Sequence, residues 1–133
     1  MEKKHGLLLL CLCTLLGCNG NTKTAREIAE ENGTMLLMQA RNAYNTGDYQ
    51  TAVILIDSIR STYPLAMEVR EQGILLKDSV YLEEAREELR KGLDAGVDQQ
   101  QLDEVQQKIK FYLRKLEHDK ERRKSHAIHT DEE

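Results

Sequence analysis

The chain has 133 residues with a formal net charge of −4; 32% of residues are charged, and there are one phenylalanine, one proline and no tryptophan. The mild negative balance gives no sign of a nucleic-acid partner, and none is expected; the length suits one small domain. Sparse aromatics beside abundant Glu, Lys, Arg, Gln, Leu and Ala make the composition of long helices, so the expected core is a set of apolar stripes rather than a thick globule.

Met1-Glu2-Lys3-Lys4-His5 is a charged start, and an apolar run follows from Gly6 to Gly17. This is the layout of a secretory signal. The run falls well short of the ~20 residues that a membrane-spanning helix needs, and Asn19-Gly20-Asn21-Thr22-Lys23-Thr24 turns polar at once. Leu15-Leu16-Gly17-Cys18 resembles the bacterial lipobox. The resemblance implies that residues 1–17 are a lipoprotein signal peptide removed before Cys18, that the Cys18 thiol carries a diacylglyceryl group, and that the new N-terminus is acylated. One acyl chain holds a membrane marginally; two or more hold stably, at ~0.8 kcal/mol per buried methylene. The removed residues carry Glu2, Lys3 and Lys4, a net +1, so the −4 of the whole chain becomes −5. Cys11 and Cys13 go with them and Cys18 is capped, which leaves no free thiol and no disulfide in an oxidising compartment. Cys11-x-Cys13 lies inside the apolar run and is not a metal pair.

Residues 18–33 read as the lipidated cysteine and a tether. Thr24-Ala25-Arg26-Glu27 has capping-box spacing, so a helix can start within it. Asn32-Gly33-Thr34 interrupts or weakens that helix, and one kinked helix and two separate helices both fit. From Met35 the pattern is helical: Leu36, Leu37, Ala40, Ala43 and Tyr44 share one face. Asn45-Thr46-Gly47-Asp48 predicts a turn, with Gly ending one helix and Asp capping the next. Ala52, Leu55, Ile56, Ile59 and Tyr63 form a second stripe that stops at Pro64.

A long hairpin is predicted over 67–119. In its first helix, Ala66, Val69, Gly73, Leu76 and Val80 recur at three and four residues. The phase then slips to Leu82, Ala85 and Leu89, as a stammer in a coiled-coil seam would. Leu93-Asp94-Ala95-Gly96 marks the stop. In the second helix, Leu102, Val105, Ile109, Tyr112 and Leu116 alternate by three and four. At 1.5 Å per residue each helix is about 40 Å long, and the short connection makes them antiparallel. Residues 120–133 lack an apolar stripe and read as a disordered charged tail. The expected fold is all-α: a helix–turn–helix followed by a long, coiled-coil-like antiparallel α-hairpin.

Residues 33–66 resemble one tetratricopeptide repeat, whose period is about 34 residues. Leu36 and Ala40 sit in the first helix, Gly47-Asp48-Tyr49 make the turn, Ala52 and Ile56 lie in the second helix, and Pro64 closes the unit. Leu36 stands where the pattern has Trp, and Ile59 stands at its late small-residue position. The next unit, around Gly73 and Ala85, keeps small residues but lacks a glycine turn, so one long helix is expected there. The whole layout is similar to small tetratricopeptide-like lipoproteins of Bacteroidales-type bacteria. In that group an acidic stretch after the lipidated cysteine directs surface export. Its absence in residues 19–23 implies an outer-membrane anchor facing the periplasm.

Motifs for chemistry are sparse. His126-x-x-His129 and His118 have no ordered third ligand beside them, so no metal site is expected. Asp57-Ser58 and Asp78-Ser79 have no histidine nearby in sequence. Glu83, Glu84, Glu87 and Glu88 alternate with Arg86, Arg90 and Lys91 as a solvated helix face. Gly33, Gly47 and Gly96 each stand alone at a break, not in a phosphate loop. Lys120 with Arg122-Arg123-Lys124 is a basic cluster able to touch anionic lipid, or simply a helix end whose cations suit the macrodipole. No catalytic residue and no cofactor is expected. The expectation is a lipid-anchored scaffold or interaction module that meets an envelope protein through Asn42, Tyr44 and Asn45 of the repeat-like groove. The alternative is a spacer that self-associates through the hairpin.

Overall fold

The computed structural model describes residues 22–130, with side chains to Ser125. The signal segment 1–17, Cys18, the first tether residues and 131–133 lie outside the described residues. The described fold is all-α: α1 (Ala25–Asn45), α2 (Tyr49–Thr62), α3 (Met67–Ala95) and α4 (Gln99–Thr130), with no strand.

Helix α1 starts where the capping box places it. The Glu27 amide donates to the Thr24 hydroxyl at 3.2 Å, and the Thr24 amide donates to the Glu27 carboxylate at 2.6 Å. Of the two readings left open at Asn32-Gly33-Thr34, the structure has one unbroken helix, so residues 25–33 of the assigned tether are helical. Thr34 does not cap a new helix; its hydroxyl donates to the Glu30 carbonyl at 2.7 Å. Gly33 is a contact residue. A Cβ there would stand 3.3 Å from Val69 Cγ1 and 3.4 Å from Ala66 Cβ, so α1 and α3 approach closely at this point.

The α1–α2 turn uses Gly47 at φ 78°, a left-handed conformation open to glycine. Asp48 then caps α2, accepting from the Thr51 amide at 3.1 Å. Ala40 and Ala52 are fully buried where the helices meet. Helix α3 begins after Ala66, which offers no side-chain cap. Glu30 of α1 caps it instead: the Glu68 and Val69 amides donate to its two carboxylate oxygens, each at 3.1 Å. A carboxylate on the amide end of a helix also complements the helix dipole.

Helix α3 is the centre of the molecule and packs against all three others. One face carries Ala66, Val69, Gly73, Leu76 and Val80. Val69 meets Gly33 of α1, and Gly73 approaches Ile56 of α2, where an added Cβ would be 3.3 Å away. The other face carries Asp78, Leu82 and Ala85, all buried, and Asp78 joins Lys115 of α4. The phase change after Val80 is therefore no stammer: it is a second stripe serving a second neighbour.

Gly96 ends α3 at φ 66°. Asp98 opens α4 by accepting from the Gln101 amide at 3.0 Å. The antiparallel register runs through Glu88–Lys108 (3.0 Å), Asp78–Lys115 (2.7 Å) and Glu71–Arg122 (3.3 Å). The hairpin rests on the first helix pair, with Lys77–Asp57 at 2.7 Å and Arg41 to Gln72 at 2.8 Å across the junction. Among the described residues α4 packs on α3 alone, and none of its side chains is fully buried. The tail expected to be disordered from Lys120 is helical to Thr130. Its order continues the hairpin seam by charge: Arg122 reaches Glu71 and Asp119, and Arg123 lies 3.7 Å from Glu71.

Candidate functional site

The three partner candidates do not converge. Asn42 and Asn45 are exposed, whereas Tyr44 is half-buried. At about 100° per residue, Asn42 and Asn45 fall on the outer side of α1 while Tyr44 turns inward toward α2 and α3. Its ring centroid lies 6.0 Å from that of Tyr49. Burial, reinforced by the Glu83 carboxylate, raises the Tyr44 phenol above its ordinary value, so it stays a neutral hydrogen-bonding group.

Beside this aromatic pair is a shallow crease of about 490 Å³, lined by Gly47, Tyr49, Glu83, Arg86, Glu87 and Arg90. The α1–α2 turn forms one wall and the middle of α3 the other. Arg86 pairs with Glu83 at 2.7 Å, and Arg90 reaches Asp94 at 3.5 Å, in the spacing that neighbours on one helix face adopt. The alternating charges read as a solvated face therefore begin at the rim of a concavity. What the crease offers chemically is an aromatic edge on α2 and exposed guanidinium groups and carboxylates on α3.

The residues screened for chemistry are otherwise occupied. Asp57 accepts twice from Lys77, at 2.7 and 2.9 Å. Its neighbour Ser58 donates to the Ile54 carbonyl at 2.8 Å, and Ser79 beside Asp78 donates to the Leu75 carbonyl at 3.0 Å. His118 lies 3.7 Å from Asp119. Among the described residues no group of three or more His, Cys, Asp or Glu side chains is placed to hold a metal ion. His126 and His129 fall where only the backbone is described.

The roles of two residues escaped the sequence reading. Asp78 is 3% exposed, with Oδ1 on Lys115 and Oδ2 without a hydrogen-bond partner among the described residues. Its sequence signal is an acid four residues before Leu82 on an apolar face. Glu30 carries no signal, because its role depends on where α3 begins. No described helix is long and apolar enough to cross a membrane. No family model, curated protein or solved structure matches this chain.

Proposed function

We propose that this chain is a lipid-anchored helical module that docks an envelope protein at the crease between the α1–α2 turn and α3. The carrying observation is the crease itself: Tyr49 and Gly47 on one wall, Glu83, Arg86, Glu87 and Arg90 on the other, with the half-buried Tyr44 beside Tyr49. Tyrosine and arginine are the side chains that concentrate binding energy at protein interfaces. A site on helices holds them in place at little entropic cost. The tetratricopeptide reading is supported by Ala40 and Ala52 at the helix crossing, by the left-handed Gly47 before the Asp48 cap, and by a second helix pair stacked on the first. The anchor rests on Leu15-Leu16-Gly17-Cys18, and the tetratricopeptide-like lipoproteins it resembles favour an outer-membrane location facing the periplasm.

The test is a photo-crosslinking residue placed in cells at Arg90, and at Arg114 on the exposed side of α4 as control. A discrete protein adduct from Arg90, absent from Arg114 and lost on Arg86→Glu, is the expected result. Equal labelling from both positions, or none from Arg90, refutes docking at the crease.

A second reading is self-association through the hairpin. It is favoured by the stripe Leu102, Val105, Ile109, Tyr112 and Leu116, which stays only half-buried, and by Phe111 and Leu113, which are exposed. Sedimentation velocity decides it: a concentration-dependent dimer supports the spacer, and a monomer across the range removes it.

A further inference from the structure

The anchor and one end of the helix array belong together. Residues at the start of α1, the α2–α3 connection, the start of α3 and the last described turns of α4 share that end, tied by Glu30 to the α3 amides and by Arg122 to Glu71. Thr24, which caps α1, is only six positions after Cys18. Fully extended, this stretch spans about 20 Å. With lipid on Cys18, this end stays within that distance of the bilayer, while Leu93 at the far end of α3 lies about 40 Å farther along the helix.

Among the described residues, this end exposes apolar side chains that no element covers. Leu65 is 53% exposed, Met67 58% and Ile74 54%. Leu65 stands in the connection after Pro64, and Met67 is the first residue of α3. Met67 and Ile74 line a depression of about 540 Å³ with Arg26, Arg70, Arg122, Glu68 and Glu71. Glu71 is engaged by Arg122 and Arg123, while Arg70 braces the connection by donating to the Pro64 carbonyl at 2.8 Å. Apolar tips set among arginines and the oxygens that pair with them match the boundary between acyl chains and polar headgroups, where the tips enter and the charged groups stay at headgroup level.

We infer that the Leu65–Met67 connection is a second membrane contact: Leu65 and Met67 insert into the lipid interface beside the acyl anchor and fix the array upright, with the crease turned to a partner. This rests on the lipid anchor at Cys18. The occupant is a bilayer because the tether holds this end against one; the short polar segment from Asn19 to Lys23 has no apolar residue to cover the tips.

The chain has no tryptophan, so Leu65→Trp and Leu93→Trp each give a single fluorescent reporter. The mature protein purified from membranes is reconstituted in phosphatidylcholine vesicles with and without brominated acyl chains, and its intact mass reports lipid on Cys18. Insertion quenches Leu65→Trp by about half or more and leaves Leu93→Trp unquenched. Adding Met67→Glu, an acid that suits the first turn of a helix, abolishes the quenching with the helical signal retained. If Cys18 carries lipid but Leu65→Trp is quenched no more than Leu93→Trp, or if Met67→Glu leaves the quenching unchanged, the second contact is overturned while the anchor stands. A mass without lipid overturns both.

Discussion

Lys115→Met strands a carboxylate inside the hairpin. The Asp78 side chain is 5% exposed, and its one cationic partner among the described residues is Lys115 Nζ at 2.7 Å. The second oxygen, Oδ2, has no hydrogen-bond partner among them. Methionine keeps most of the lysine stem and removes the cation. Breaking a buried pair from one side costs about 3–5 kcal/mol. Lys115 is 41% exposed, so water already screens the pair from its side; the expected loss drops to about 2–3 kcal/mol. Asp78→Leu removes both the buried charge and its orphaned oxygen and fills the α3–α4 contact with carbon. It is expected to be neutral or stabilising by about 1–2 kcal/mol. In that background Lys115→Met costs less than about 0.5 kcal/mol, because there is no carboxylate left to strand. Urea titration followed by helical circular dichroism reads all four species. With a slope near 1–2 kcal/mol per molar, Lys115→Met lowers the midpoint by about 1–3 M. If Asp78→Leu loses as much as Lys115→Met, the pair is a net stabiliser and the reasoning is wrong.

Alkaline pH should loosen the same contacts. Hydrogen bonds to Asp78 and Asp57 raise Lys115 and Lys77 above the ordinary 10.5, so their contribution is complete below that value and lost as pH rises through the folded values. The melting temperature is expected to be level between about pH 7 and 9 and to fall above about 10.5; a fall confined to the acid side would contradict this. Gly33→Leu should cost about 2–3 kcal/mol by forcing α1 from α3. Gly33→Ala should stay within about 1 kcal/mol of wild type, since the gain in helix propensity offsets the 3.3 Å contact with Val69. Glu30→Ala removes the acceptor for two α3 amides. It should cost about 1–2 kcal/mol by urea titration and first expose the amides of Glu68 and Val69 to hydrogen exchange.

Much of the fold was legible because its signals are local. Thr24-x-x-Glu27 starts α1, Gly47-Asp48 turns the chain, Gly96 ends α3, and the buried residues of α1 and α2 each form one stripe. Misreadings arose where a residue answers to something distant. Gly33 looks like a weak point in a helix until α3 stands against it. The stripe of α3 seems to slip because a helix gripped from two sides superposes two periods in one line of sequence. Residues beyond Lys120 have no apolar pattern, and their helix is joined to Glu71 by charges matched 51 positions apart. The site was harder still: Asn42, Tyr44 and Asn45 are neighbours in sequence but point to different sides of α1. The crease beside Tyr49 draws on α3, which no local motif identifies.

The one-sided attachment of α4 also sets an order of assembly. Leu37, Ile59 and Val80, the largest fully buried side chains, belong to α1, α2 and α3, so the core closes without any residue of α4. A chain emerging N-terminus first completes that core before its last helix is available, and α4 then zips onto α3 from the Gly96 turn through contacts close in sequence. Such local pairing is fast. It also makes α4 the first unit to open and re-form in the native state, independently of the core beneath it.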